Sequence, residues 1–222
     1  MKPLTPTSFV LLGLLGVRSW TGYELTKQME RAVSFFWPRT ERKLYDEAKN
    51  LVAHGLASAK KERVGRKRTI YSITAKGRVA LRDWLGSDNQ PHALEFEAIA
   101  KIFFSEQGTK MDLLANVRSV RGEAGRYLEH LAALADETVS TGGGPFPARA
   151  HINVLTFAFG WAFADALYRW SDWAESEIQQ WSGVKASPKR SSWALGIFGE
   201  ATDLSAGVPI GERPWARGGA TS

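Results

Sequence analysis

Along the first part of the chain, apolar residues recur with helical period three times before the pattern changes to two short β-like runs. Phe9, Val10 and Leu12 open a wide apolar surface lasting to Gly16, behind Thr5 as a capping residue and Pro6 at a first helical position. Thr21 and Glu24 have capping-box spacing, so a second helix starts there, turns Leu25 and Met29 inward and runs to about Val33. Pro38 biases Trp37 away from the helical region, and a third helix is predicted from about Arg39 to His54. On it Leu44, Ala48 and Leu51 share a core face, which leaves Arg39, Arg42, Asp46 and Lys49 on the opposite side. Gly55 supplies the stop. Ala57 to Lys61 and Arg68 to Ile73 read as strands joined by Glu62-Arg63-Val64-Gly65-Arg66-Lys67, a hairpin with a basic tip. Thr74 caps a fourth helix with Val79, Leu81, Trp84 and Leu85 as its apolar residues, and the polar stretch from Gly86 to Pro91 reads as a linker.

Beyond the linker, Leu113, Val117, Val120, Ala124, Tyr127, Leu131 and Leu134 alternate steps of four and three, the heptad seam of a helix that pairs along one stripe. Arg118, Arg121, Glu123, Arg126 and Glu129 lie beside the seam. Gly142-Gly143-Gly144-Pro145 breaks the chain, and a second long helix, from about Ala148 to Trp181, is expected to return antiparallel. Its aromatics, among them Phe157, Phe159, Trp161, Phe163, Tyr168, Trp170 and Trp173, exceed what one partner helix can hide. A homodimer joined through Leu113, Val117, Val120, Tyr127, Leu131, Phe157, Trp161 and Trp170 is therefore expected. Asp165, Arg169 and Asp172 interrupt the apolar run well short of the roughly 18 residues that spanning a bilayer takes, so no membrane partner is expected.

The pattern predicts a mainly α protein. A winged helix-turn-helix domain of three helices and a β-hairpin wing occupies residues 1–87, a linker 88–94, and a long-helix dimerisation domain 95–182. Residues 183–222, with seven glycines and Pro188, Pro209 and Pro214, read as a loosely ordered tail.

Charge sharpens this picture. Of the net +6, residues 1–87 carry 17 Lys and Arg against 7 Asp and Glu, whereas residues 88–222 carry 12 against 16. A basic field confined to one domain points to a polyanion partner, DNA or RNA first and an anionic membrane surface second, because cations release the counterions condensed on phosphates, and charge alone does not choose between these. The winged helix-turn-helix order, whose third helix suits the wide major groove, makes double-stranded DNA the expected partner. The expected DNA contacts are Arg39, Arg42, Lys43 and Lys49 on the third helix and Arg66, Lys67 and Arg68 on the wing, while Tyr45, at the edge of the apolar stripe, reads either as core or as a contact. There is no cysteine, so disulfides, thiolate metal sites and cysteine nucleophiles are excluded, in keeping with a cytoplasmic location. His54, His92, His130 and His151 lack metal-ligand spacing, and neither a phosphate-cradling glycine loop nor a nucleophile elbow occurs, so neither a metal, a cofactor nor an enzymatic activity is expected.

Three segments taken together resemble the PadR-type transcriptional regulators: Gly22-Tyr23-Glu24-Leu25; Leu44-Tyr45 with Gly55-Leu56; and Thr69-Ile70-Tyr71-Ser72-Ile73-Thr74-Ala75-Lys76-Gly77. The run from Glu95 to Phe104 is similar to the start of that family's C-terminal region. The resemblance implies a dimeric repressor, a phosphate or base contact for Tyr45, and a small aromatic or hydrophobic effector held near Trp161 and Trp170; twofold pairing in turn requires an inverted-repeat operator. Two residues depart from the family pattern: Asp46 stands where a proline is common, and Lys43 where a small hydroxyl residue is. The alternative reading, a winged helix that mediates protein contacts without reading DNA, uses the same fold.

Overall fold

The computed structural model describes residues 2–34, 36–62 and 68–202. The chain divides into two compact units, Met1–His92 and Ala93–Ser222.

In the first unit, α1 (Pro6–Val17), α2 (Gly22–Val33) and α3 (Glu41–Ala53) are followed by a hairpin of β2 (Ala57–Lys61) and β3 (Thr69–Ile73) and by α4 (Ala75–Leu85). A two-residue strand β1 (Trp20–Thr21) adds to the hairpin, giving an antiparallel sheet of order β1-β3-β2 with Trp20 opposite Tyr71 and Ala57 opposite Ile73. Thr21 and Glu24 form the expected capping box, and the Thr40 and Thr74 hydroxyls accept from the N–H groups of Lys43 and Gly77. Leu11, Leu12 and Leu15 of α1 meet Leu25 and Met29 of α2 and Leu44, Ala48 and Leu51 of α3 in a core where none is more than 3% exposed.

Three features of this unit differ from the sequence pattern or add to it. The third helix begins at Glu41, because the Thr40 side chain caps it, so Arg39 lies in the preceding turn. Val79 and Leu85 stand 47% and 69% exposed, while Trp84 stacks on Phe9 of α1 with ring centroids 5.4 Å apart and takes the inward face of α4. The strand β1 carries too little sequence signal to be predicted, since its register is set by β3 far along the chain.

The second unit is built on a helical hairpin. A short helix α5 (Glu97–Phe103) leads to α6 (Lys110–Ser140), capped by a Thr109–Asp112 box, and α7 (Ala150–Gln179) returns antiparallel. The turn between them uses Gly142, Gly143 and Gly144, all at positive φ, which side chains with a Cβ rarely adopt. Lys110 closes the far end by donating to the carbonyls of Gln179 and Trp181.

The heptad seam is buried inside this hairpin. Leu113, Val117, Val120 and Leu131 are at most 4% exposed within the single chain, and the hairpin core joins Leu113 and Val117 to Ala174 and Ile178 of α7. These residues, with half-buried Tyr127 packing over Gly160, form an intrachain core, which corrects the expectation that they pair two chains. A periodic stripe shows that a helix buries one face without saying which helix covers it. Arg118 and Arg121 latch α6 to α7 through Glu175 and Asp172 at 2.7 to 3.4 Å, and Arg118 holds the Glu175 carboxyl below the usual carboxylate range.

The segment expected to be loosely ordered contains α8 (Pro188–Thr202). Trp193 stacks on Trp173 with centroids 6.2 Å apart and meets Trp181 edge-on at 5.3 Å, so aromatic packing outweighs the glycines that suggested disorder. Among the described residues no helix is long and apolar enough to cross a membrane.

Candidate nucleic-acid interface

The outward face of α3 is set by its buried one. With Leu44, Ala48 and Leu51 packed inward, the 3.6-residue period turns Arg42, Asp46 and Lys49 to solvent, where all three are exposed. Arg42 and Lys49 make no ion pair among the described residues, so both positive charges are available to a ligand.

The other expected contacts differ in how free they are. Tyr45 is half-buried and its ring lies over Gly22 at the start of α2: a Cβ at that glycine would sit 2.6 Å from the ring, so only glycine permits this approach. Arg39, ahead of the helix, is held by its neighbours, with the guanidinium 4.9 Å over the Trp37 ring and Nε donating to the Thr7 hydroxyl. Lys43 is not free. Its ammonium pairs at 3.1 Å with Glu47, a carboxylate 1% exposed on the inner side of α3.

On the hairpin, Arg68 reaches Glu62 at 3.6 Å across the base of the wing. Arg66 and Lys67 lie outside the described residues. Two cations that sequence reasoning missed, Lys60 and Lys61, stand exposed on β2 without an ion pair among the described residues. Two adjacent cations ending a strand in which every residue after Ala57 is exposed were the available signal. Tyr23, 63% exposed at the start of α2, is a further outward aromatic of this domain. The domain therefore presents one helix with two free cations and a tyrosine, beside a hairpin with two more.

In the second unit, Trp161 is 39% exposed while Trp170 packs against the hairpin core. Nine residues of α7 separate them, half a revolution apart and about 14 Å along the axis, so one chain does not bring them together as a pocket. Phe157 is half-buried with its ring 6.1 Å from Trp161. Among the described residues no group of His, Cys, Asp and Glu could hold a metal ion.

Comparison with known proteins bears on this arrangement. Residues 11–83 match the Transcriptional regulator PadR-like family. The Negative transcriptional regulator PadR of Bacillus subtilis is 27% identical over 99 residues, which cover 43% of this chain and 54% of that protein, so the match spans about half of the relative's length. Among solved structures, the PadR-like transcriptional regulator of Bacillus cereus aligns with a TM-score of 0.67 at 16% identity, covering 78% of this chain and 98% of that one. Bacillus subtilis PadR aligns at 0.66 and 20% identity in its complex with operator DNA, covering 77% of this chain and 98% of that one. In its complex with p-coumaric acid it aligns at 0.61 and 18%, covering 78% and 98%. At such identities these structures establish the fold, and the match to the family model is confined to residues 11–83. Residues 11–83 are thus similar to the Transcriptional regulator PadR-like family, and the chain shares the fold of the PadR-like structures.

Proposed function

We propose that the chain is a homodimeric, sequence-specific DNA-binding regulator, acting as a repressor on an inverted-repeat operator. Helix α3 enters the major groove and the β2–β3 wing lies along the flanking backbone. The carrying observation is the outward face of α3, where Arg42 and Lys49 stand exposed and unpaired opposite a fully buried apolar face. That arrangement favours DNA over a protein partner, because two free cations beside the basic β2 match a phosphate lattice and offer little apolar area to a protein surface. Wide-groove entry of a helix also favours B-form DNA over A-form RNA.

The homodimer rests on a different surface from the heptad seam. Ile152, Leu155 and Phe159 follow each other at steps of three and four on α7 and are 47%, 66% and 55% exposed, on the side away from the buried Gly160 and Ala164. A contiguous apolar face of this kind calls for a partner, and a second copy provides one with twofold symmetry. Bacillus subtilis PadR has been captured with p-coumaric acid, which supports a small aromatic effector for this chain as well. Within one chain the Trp161–Trp170 pair does not form its site, because the two rings face opposite sides of α7.

A shift assay on the intergenic DNA beside the chain's own gene tests the reading. Saturable binding with a Kd of about 10⁻⁸ M or tighter, at least about a thousandfold better than random duplex, is expected. Equal affinity for that DNA, random duplex and double-stranded RNA would contradict it. A second expectation concerns the wing. Replacing Lys60 and Lys61 together by alanine should weaken operator and random duplex by the same factor and make the slope of log affinity against log salt shallower by about 0.9 for each phosphate that is no longer neutralised. Weakening confined to the operator would show that the wing reads bases.

A further inference from the structure

Within α3 the least expected residue is Glu47, a carboxylate on the core face one position before Ala48. It is 1% exposed, and both its oxygens are engaged. The Ser8 hydroxyl of α1 donates to one at 2.6 Å, and the Lys43 ammonium meets the other at 3.1 Å. The same Ser8 oxygen accepts the Thr5 N–H at the cap of α1, so the start of α1 and the first turns of α3 are tied through one hydroxyl and one carboxylate.

Lys43 is 37% exposed and by itself could swing to a phosphate, but Glu47 cannot follow it into solvent. Removing the ammonium would leave a buried carboxylate without its counter-charge, a far larger loss than a solvent-screened phosphate contact returns. The pair therefore stays closed when the helix meets DNA.

We propose that Glu47 is a positioning residue of the DNA-reading helix: it sequesters the Lys43 charge and, through Ser8, fixes α3 against α1, so that Arg42 and Lys49 and not Lys43 are the cations α3 offers to DNA. The proposal rests on the DNA-binding reading and adds to it a specificity device, since a mobile lysine at this place would add affinity for any duplex and dilute discrimination.

The test uses the full chain and a random-sequence duplex of about 30 base pairs, with affinity followed across salt concentration, thermal melting as the check on folding, and three variants. Lys43→Gln should leave the slope of log affinity against log salt at the wild-type value, because the charge it removes never reaches the DNA. Glu47→Gln retains an acceptor for the Ser8 hydroxyl while releasing Lys43. It should steepen the slope by about 0.9 per protomer, strengthen random-duplex binding severalfold and lower the ratio of operator to random affinity. The double variant Glu47→Gln with Lys43→Gln should return to the wild-type slope, a rescue that a merely structural role for Glu47 would not give. A shallower slope for Lys43→Gln, or an unchanged slope for a folded Glu47→Gln, overturns the proposal. A wild-type affinity that ignores salt would fail one step earlier, removing DNA binding itself whatever the variants do.

Discussion

Replacing Leu155 and Phe159 together by glutamate is expected to convert the protein to a monomer of 24.5 kDa and to weaken operator binding by about 10²- to 10⁴-fold, although every residue of the first unit is untouched. Both side chains are more than half exposed in the single chain, so charge there costs the fold little, whereas the charge is intolerable in an apolar interface between two copies. The affinity falls because a dimer binds its second half-site as an intramolecular event at millimolar effective concentration, and a monomer forgoes that gain. Val120→Glu provides the contrast. Val120 is 1% exposed inside the α6–α7 hairpin, so a carboxylate there should unfold the second unit instead of separating folded monomers. Light scattering combined with thermal melting distinguishes the two outcomes. A double variant that remains dimeric and binds operator normally would place the pairing surface elsewhere.

The second large effect is expected at the outward face of α3. Arg42→Ala with Lys49→Ala removes both free cations, which lie seven residues apart and share no partner, so their contributions should add. At about 1 to 3 kcal/mol per base contact, the operator should lose about 2 to 6 kcal/mol in each half-site while random duplex loses only the phosphate-type share. Competition between labelled operator and unlabelled random duplex reads this directly as a collapse of the specificity ratio. Retention of the wild-type ratio would mean that α3 is not the reading helix. The melting temperature should be unchanged, since both residues are exposed.

How far the sequence discloses this arrangement depends on whether a signal is local. The starts of α1, α2 and α4 are legible at Pro6, Thr21 and Thr74 because a cap is chemistry between residues three apart. The start of α3 reads too early, at Arg39, because Pro38 is the stronger punctuation and masks Thr40, whose hydroxyl does the capping. The basic character of residues 1–87 is legible from composition, and so is the outward placement of Arg42 and Lys49, which follows from helical period alone.

What is not legible requires knowledge of the partner. The stripe from Leu113 to Leu131 announces a paired helix but not that α7 of the same chain covers it. Trp161 and Trp170 look like one cluster in composition and separate once the turn of the helix is counted. Glu47 is hidden in the sequence because a charge ordinarily belongs to the solvent face. Only the placement of Ser8 on α1 and Lys43 one turn earlier shows why a carboxylate is tolerated at 1% exposure. Trp193 orders a helix in a stretch whose glycines suggest none, through rings on α7 and beyond that no local window contains.

Whether the basic face of residues 11–83 holds DNA by neutralising phosphates is tested most directly by the affinity of the purified protein for duplex DNA measured at 50 and at 200 mM salt. A dimer making on the order of six to ten phosphate contacts should lose roughly 10³- to 10⁵-fold between the two conditions. An affinity that is the same at both salt concentrations would contradict the account.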